Sequence, residues 1–265
     1  MVVEHIKTYM NQSCQNKYPQ RIKIMGVSVD PFTMAETVAK TEEYICDKKF
    51  AHLIGVNADK ILQIKEDPAI KEIVKHCEIV NADGASMLIA ANKLNIKLPE
   101  RVAGIDLMLK LCSIAAAKGY SVYLLGAKQA VVEKTAEVLK EKFAGINICG
   151  IHDGYFSEDE DKEIIKEVKS SSPQIVFVGI TSPRKELLIE KFRDYGAAAV
   201  FVGVGGSFDV ISGNIARAPK WMQEMKLEWL FRLLQEPKRL LKRYLVGNIK
   251  FLILLNRAKR EAKNQ

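Results

Sequence analysis

The sequence predicts an α/β fold in which a Rossmann-like, mainly parallel β-sheet is covered by helices on both faces. Short apolar runs alternate with stretches of helical period along most of the chain. The 265 residues, 48% of them hydrophobic, are enough for one large core. A basic appendage is also predicted, because residues 214–265 hold 13 Lys or Arg against 4 Asp or Glu, whereas residues 1–213 hold 27 against 28.

Seven runs rich in Ile, Val and Phe predict strands, in chain order IKIMGVSV, AHLIGVN, EIVNAD, YSVYLLG, INICG, QIVFVGI and AAAVFVGVG. Segments between them, such as AVVEKTAEVLKEKF and DKEIIKEVKSS, have the period of amphipathic helices. Regular alternation of strand and helix is typical of parallel sheets, since crossover helices bring the carboxyl ends of the strands to one edge. Ligands of such folds bind outside those ends, so the functional residues are expected there.

Turns that contain glycine follow most of the predicted strands. Glycine permits positive φ angles and close backbone approach, so these turns are suited to a phosphorylated ligand, although βα turns also use glycine for structural reasons alone. No Walker A or G-x-S-x-G motif is present, and GVGGSFD leaves the dinucleotide fingerprint incomplete. The turns are Gly55–Asn57, Asn81–Gly84, Gly126–Lys128, Asp153–Tyr155, Gly179–Lys185 and Gly203–Asp209.

Asp83 lies in one of these turns, between a predicted strand and a helix that begins near Ala85. A carboxylate at this place is suited to take a proton from a hydroxyl that attacks an electrophile. The alternative is an N-cap, in which the same carboxylate accepts hydrogen bonds from the first turn of the helix.

Other charged residues near the turns point to a diphosphate. Arg101 in LPERVAGIDL, and Arg184 and Lys185 in TSPRKELL, are suited to stabilise a diphosphate leaving group, with solvated surface charge as the alternative. Asp209 in GGSFDV is suited to accept hydrogen bonds from ribose hydroxyls or a base, or else to cap a short helix.

No metal site is predicted. DED at Asp159–Asp161 has the D-x-D form that often holds a divalent cation, but Ser157 and Glu160 form an S-x-x-E capping box. Asp159 and Asp161 are therefore expected in the exposed first turn of a helix, where its dipole favours them. The five cysteines are widely spaced without a C-x-x-C pair, as expected of reduced thiols in the cytosol. The N-terminus does not have the pattern of a signal peptide.

The basic appendage combines charge with apolar and aromatic side chains. Its sequence predicts two or three helices, with Pro237 and Gly247 as candidate breaks. Aromatic residues interleaved with Lys and Arg suit a membrane interface, where each basic residue adds about 1 kcal/mol. YLVGNIKFLILL is too short to cross a bilayer, so the appendage is expected to lie on one. The alternatives are a helix packed on the body and a patch that binds nucleic acid.

Six segments together resemble the WecG/TagA/CpsF family of bacterial glycosyltransferases, namely NADGAS, LPERVAGIDL, GYF, VGITSPRKE, GVGGSFDVISGNIARAPKW and LEWLFRLLQEPKRLLKRYLVGN. The resemblance covers roughly residues 22–248. It implies that residues 1–213 form the catalytic domain and that residues 214–265 meet the membrane and help to complete the site. The implied reaction is inverting, metal-independent transfer of N-acetylmannosamine or a relative from a UDP donor to an undecaprenyl-diphosphate-linked sugar, in the synthesis of wall teichoic acid, capsule or another surface polysaccharide.

The resemblance also implies roles for individual residues. The general base matches Asp83, and no cofactor is expected. The expected partners are the UDP-sugar, the lipid-linked acceptor and the cytoplasmic face of the bacterial membrane, without nucleic acid; a homo-oligomer is left open. The positions implied in substrate binding match Asn57, Arg101, Tyr155, Asp209, Arg232, Arg239 and Lys242, and the turns and charges described above add Gly126 and Lys185 to the predicted substrate-binding residues.

Two departures leave the donor sugar open. Many members of the family have Thr-Pro-Asn where this chain has Gly55, Val56 and Asn57, and Pro-Lys-Gln-Glu where it has residues 183–186. A hydroxyl is therefore missing, and a cation replaces an amide at Lys185. Two other classes of function stay open from the residues alone: a nucleotide-dependent oxidoreductase on the same sheet, and a basic-tailed module that binds nucleic acid or a partner protein.

Overall fold

A six-stranded parallel sheet forms the centre of the molecule, in the order β4-β3-β8-β7-β5-β6. The computed structural model describes residues 17–225 and 227–263, except for the side chains of residues 239, 242, 243, 262 and 263. The predicted fold class is confirmed. The strands of this sheet are β3 (Ala51–Val56), β4 (Ile79–Ala82), β5 (Ser121–Gly126), β6 (Asn147–His152), β7 (Ile175–Gly179) and β8 (Val200–Gly203).

Helices cover both faces of the sheet. In chain order they are α1 (Met34–Cys46), α2 (Ala58–Glu66), α3 (Pro68–His76), α4 (Ala85–Lys93), α5 (Gly104–Lys118), α6 (Gln129–Lys142), α7 (Asp161–Ser170), α8 (Arg184–Asp194), α9 (Ser207–Ile211), α10 (Lys220–Glu224), α11 (Glu228–Gln235) and α12 (Pro237–Lys263). Helices α1, α5 and α6 pack on one face. Helices α7 and α8 pack on the other face, beside a second cluster formed by α2, α3 and α4.

The central strands are apolar at consecutive positions because both of their faces are covered. In β5, residues 122–125 are all fully buried, with alternate side chains in the cores on the two faces. Polar side chains fix several helix starts: Thr33 and Glu36 form a capping box before α1, and Asp67 caps α3 ahead of Pro68. Because the strands are parallel, the turns predicted to carry function lie at one edge of the sheet.

The first predicted strand, IKIMGVSV, does not join the parallel sheet. It forms a separate antiparallel hairpin of β1 (Ile22–Ile24) and β2 (Val27–Val29). Met25 and Gly26 connect the two strands with φ angles of 53° and 85°. Positive φ at both central residues is the signature of a type I′ turn, which pairs adjacent strands in opposite directions.

The C-terminal segment, α10 to α12, packs against the body along one side. The predicted break at Pro237 is confirmed, since α11 ends at Gln235 and α12 begins at the proline. The candidate break at Gly247 is wrong, because α12 runs straight through it. A Cβ at Gly247 would lie 3.2 Å from Asp59 Oδ1, so the glycine lets α12 approach α2 closely. Among the described residues, no helix has the length and apolar character needed to span a bilayer.

Candidate active site

Asp83 follows β4 directly and lies at the carboxyl edge of the sheet. Its backbone N–H donates to the Val56 carbonyl at 2.8 Å, which ties the turn to the end of β3. Helix α4 begins at Ala85 with Gly84 in the N-cap position, and no side chain caps it. The capping alternative for Asp83 is therefore wrong, and its carboxylate is not used to stabilise the following helix.

Two glycines make room for the Asp83 carboxylate. A Cβ at Gly55 in β3 would lie 2.9 Å from Asp83 Cβ and 3.1 Å from its Oδ2. A Cβ at Gly104, the first residue of α5, would lie 3.9 Å from the same oxygen. The carboxylate is thus enclosed by β3, the end of β4 and the start of α5.

This enclosure changes the acidity of Asp83. Burial raises its pKa to about 6 from an ordinary value of 3.8, because the charged form loses solvation. The positive charges of Arg101, Arg232 and Lys185 act in the opposite direction, and the negative charge of Glu228 adds to the increase. These five groups come from four separate segments of the sequence and share one electrostatic environment.

Lys185 lies in the first turn of α8 and is only 9% exposed. Its side chain runs along the bare backbone of Gly203, where a Cβ would lie 2.8 Å from Lys185 Cε and 3.1 Å from its Nζ. The ammonium is 3.3 Å from Glu186 Oε1. The end of β8 therefore guides this cation toward the cleft at the strand ends.

A second lysine, Lys60, also forms an ion pair with Glu186. Lys60 Nζ donates to Glu186 Oε1 at 2.7 Å and to Ser182 Oγ at 2.6 Å. Burial alone would raise the pKa of Glu186, but Lys185 and Lys60 together lower it to about 2. Two lysines share one carboxylate, and the charge of one of them, Lys185, also acts on Asp83.

Arg101 connects the cleft to the C-terminal segment. Its Nη1 donates to Glu228 Oε2, in the first turn of α11, at 3.3 Å. A second connection joins Arg217 Nη2 to Asp106 Oδ1 at 2.6 Å. The loop that carries Arg101 is fixed to the end of β4, because the Val102 N–H donates to the Ala82 carbonyl at 2.9 Å.

A model of the glycosyl transferase WecG/TagA/CpsF family matches residues 22–265. The chain belongs to this family. Members of the WecG/TagA/CpsF family are glycosyltransferases of cell-surface polysaccharide synthesis, so the protein acts on a sugar donor and an acceptor. The resemblance carried by the six segments is thereby confirmed.

Four of the predicted site residues come together around one carboxylate: Asp83, Arg101 and Arg232, which the WecG/TagA/CpsF resemblance implies, and Lys185, which its charge and turn predict. Asn57 is next to this group, since a Cβ at Gly84 would lie 3.3 Å from Asn57 Cβ. The Asn57 side chain caps α2 by accepting from the Lys60 N–H at 3.1 Å. Their roles in substrate binding stay predictions.

Three other predicted site residues follow strands farther along the sheet. Gly126, at the end of β5, has a φ of 129°, and a Cβ there would lie 2.6 Å from the Gly179 backbone, so only glycine fits. Tyr155 follows β6 and is 74% exposed. Asp209 lies inside α9 and accepts from Asn214 Nδ2 at 3.1 Å, so it does not cap that helix. The side chains of Arg239 and Lys242 lie outside the described residues.

The D-x-D segment is structural in part. Glu160 accepts from the Ser157 N–H at 2.7 Å, and the predicted capping box is confirmed. Asp159 is exposed as expected, but the prediction for Asp161 is wrong: it is 2% exposed and accepts from Arg184 Nη1 at 3.0 Å. This ion pair uses a cation that was a candidate for the diphosphate. In the part of the chain that the structure describes, no three His, Cys, Asp or Glu residues form a metal-binding group.

The sequence reasoning missed three charged residues of this region, Glu228, Lys60 and Glu186. A signal was present for Glu228, since LEWLFR places it four residues before Arg232 on the same helix face. Lys60 follows the Asn57 turn by three residues and Glu186 follows Lys185, but sequence spacing alone does not show that these two meet across the fold.

Proposed function

We propose that the protein is an inverting, metal-independent transferase that moves N-acetylmannosamine or a related sugar from a UDP donor to an undecaprenyl-diphosphate-linked sugar. One observation carries this proposal. The Asp83 carboxylate is enclosed at the strand ends, is not used as a helix cap, and shares its site with Arg101, Lys185 and Arg232. A base beside clustered cations suits the attack of a hydroxyl on a sugar whose leaving group is a diphosphate.

In the proposed step, Asp83 takes the proton of the acceptor hydroxyl as that oxygen attacks the anomeric carbon from the face opposite the nucleotide. The bond from the carbon to the phosphate oxygen breaks, and its electron pair leaves with UDP. Asp83 ends the step protonated. Because its pKa is about 6, it returns the proton to solvent at neutral pH.

Charge develops on the diphosphate as this bond breaks. Arg101 and Lys185 are proposed to stabilise it, together with Arg232 from α11. Cations fixed in a partly dehydrated site stabilise such charge better than mobile cations in water. Lys185 and Arg232 are on α8 and α11, so the site requires the body and the C-terminal segment together.

A membrane surface is the proposed place of reaction. On α12, Leu240, Phe251 and Leu255 are buried against the body. The opposite face exposes six large apolar side chains by 46% to 57%, at the spacing of one helical stripe: Leu241, Leu245, Val246, Ile249, Leu252 and Ile253. The excess of Lys and Arg in residues 214–265 complements an anionic bilayer. We propose that this stripe lies in the lipid headgroup region of the inner face of the membrane.

A screen of UDP-sugars with a short lipid-diphosphate-linked sugar tests the activity directly. Transfer is expected to persist in EDTA and to invert the anomeric configuration. Asp83→Asn is expected to lower turnover by about a hundredfold or more while UDP binding is kept. Unchanged turnover in this variant would remove the base assignment.

Binding experiments separate the other classes of function. Thermal protection by UDP and not by NAD is expected, and the reverse result would favour an oxidoreductase. Co-sedimentation with anionic vesicles is expected to exceed binding to an oligonucleotide at matched salt. Truncation after Asn214 is expected to abolish vesicle binding, and a truncated chain that still binds vesicles would contradict the membrane proposal.

A further inference from the structure

The ion pair between Arg101 and Glu228 occupies only one corner of the guanidinium. Among the described residues, Arg101 has a single hydrogen-bond partner, reached from Nη1 at 3.3 Å. A guanidinium has five N–H donors in one plane, so most of its donors remain available for another anion. The contact therefore restrains the arginine without using up its capacity to bind a diphosphate.

Partial burial gives this ion pair more effect than a surface pair has. The two side chains are 21% and 15% exposed. Charges that are partly removed from water are screened less by salt than exposed ones. An arginine left to itself has many rotamers, and holding it in one of them before the ligand arrives removes an ordering cost from binding.

The helix that carries Glu228 also carries a cation of the site. Glu228 is the first residue of α11, and Arg232 lies one turn later on the same face. The charges of both act on Asp83. One helical turn thus places a carboxylate on Arg101 and a second cation near the base, so the position of α11 and the orientation of Arg101 depend on each other.

We propose that Glu228 is a positioning residue, which holds the Arg101 guanidinium in the orientation that receives the donor diphosphate and so couples the seating of α11 to donor binding. The inference rests on the proposed function, because it takes the ligand of Arg101 to be a diphosphate. Glu228 acts through Arg101 and does not itself contact the donor.

Calorimetric titration of the full chain with UDP and with inorganic pyrophosphate tests this role. Glu228→Ala is expected to lower the affinity for both ligands by about tenfold or more. This is within the roughly hundredfold loss that a misplaced group can cause. Glu228→Gln keeps an oxygen that accepts from Arg101, so its affinities are expected to stay within about threefold of the parent chain. Glu224→Ala, at the exposed end of α10, is the matched control and is expected to bind as the parent does.

The pH profile of kcat/KM reports a separate effect of Glu228, its charge on Asp83, whereas the split between KM and kcat reports the positioning of Arg101, which a merely structural role would not move. Glu228→Gln removes the negative charge that raises the pKa of Asp83 and leaves Arg101, Arg232 and Lys185 in place. The acidic limb is therefore expected to shift to lower pH. For Glu228→Ala, donor KM is expected to rise more than kcat falls.

The outcomes distinguish this inference from the proposed function. Unchanged or tighter binding of both probes by folded Glu228→Ala would overturn it, because Glu228 would then compete with the ligand. If that variant does not fold, Glu228→Met keeps most of the side-chain volume without an acceptor oxygen, and unchanged binding of both probes by Glu228→Met would overturn the inference. Pyrophosphate binding that depends on Glu228, without any UDP binding, would refute the UDP donor and keep the inference. A parent chain that binds neither probe would refute both.

Discussion

Replacing Asp83 by Asn is expected to stabilise the fold while it removes activity. The folded chain holds the Asp83 pKa at about 6, against 3.8 in an ordinary environment. The difference is about two pKa units, and each unit corresponds to about 1.36 kcal/mol. Keeping the carboxylate ionised in its enclosure therefore costs about 3 kcal/mol at neutral pH, and an amide of similar shape avoids this cost.

The sign of the effect follows from proton binding. Between its ordinary pKa and about 6, Asp83 binds more proton in the folded state than in the unfolded state, so the stability of the parent falls as pH rises through this range. The gain from Asp83→Asn is accordingly about 3 kcal/mol at a pH of about 7.5 and about 1 kcal/mol at a pH of about 4.5. For a chain of this size, the larger gain corresponds to a rise in Tm of roughly 6 to 12 °C.

Urea unfolding at these two pH values, with Asp159→Asn as an exposed control, measures the difference. The control is expected to stay within about 0.5 kcal/mol of the parent at both values. Equal gains at both pH values, or a loss of stability at the higher one, would refute the claim that enclosure raises the pKa of Asp83. In the parent chain, kcat/KM is expected to rise with pH and to reach half its maximum near pH 6.

Three further changes test other parts of the structure. Gly55→Ala places a Cβ 2.9 Å from Asp83 Cβ and so displaces the carboxylate. In the transfer assay, kcat is expected to fall at least tenfold, with little change in the circular dichroism spectrum. Full activity would contradict the close packing of Gly55 against Asp83. Lys60→Met removes one of the two cations that compensate the buried charge of Glu186, so the free energy of unfolding in urea at neutral pH is expected to fall by about 3 kcal/mol. A fall of less than about 1 kcal/mol would argue against the ion pair. Leu245→Glu is expected to reduce co-sedimentation with anionic vesicles severalfold and to leave UDP binding unchanged; equal sedimentation would argue against the apolar stripe as the lipid contact.

The parallel sheet was predictable because its signal is local. Apolar runs of strand length, buried on both faces, alternate with helical period, and each pattern is complete within its own segment. The IKIMGVSV run shows the limit of this reasoning. Its apolar content predicted extended structure correctly, but positive φ at Met25 and Gly26 turns it into a hairpin. Gly247 shows the same limit, because its sequence signal suggests a helix end, whereas in the structure it allows a close contact between two helices.

The grouping of Asp83, Arg101 and Lys185 at one edge of the sheet was predictable from the turns, whereas their ion pairs were not. These residues are predicted because strand ends and glycine turns mark the edge where ligands bind, and their roles stay predictions. The partners of Arg101 and Arg184 could not be found in this way. Glu228 is 127 residues from Arg101, and Asp161 is 23 residues from Arg184, so these contacts depend on the packing of whole helices. Asp161 is buried because of its contact with Arg184, and the capping motif alone therefore predicts its exposure wrongly.

The close seating of α12 on α2 has a consequence for reach. Helix α2 begins immediately after Asn57 at the mouth of the cleft, and Gly247 lets α12 lie directly on it. If α12 lies on a membrane as proposed, its packing on α2 holds the Asp83 carboxylate at one height above the lipid surface, whereas a loose tether would allow many heights. The enzyme would then select acceptors also by the distance between the acceptor sugar and its lipid, because rigid packing fixes the height of the site.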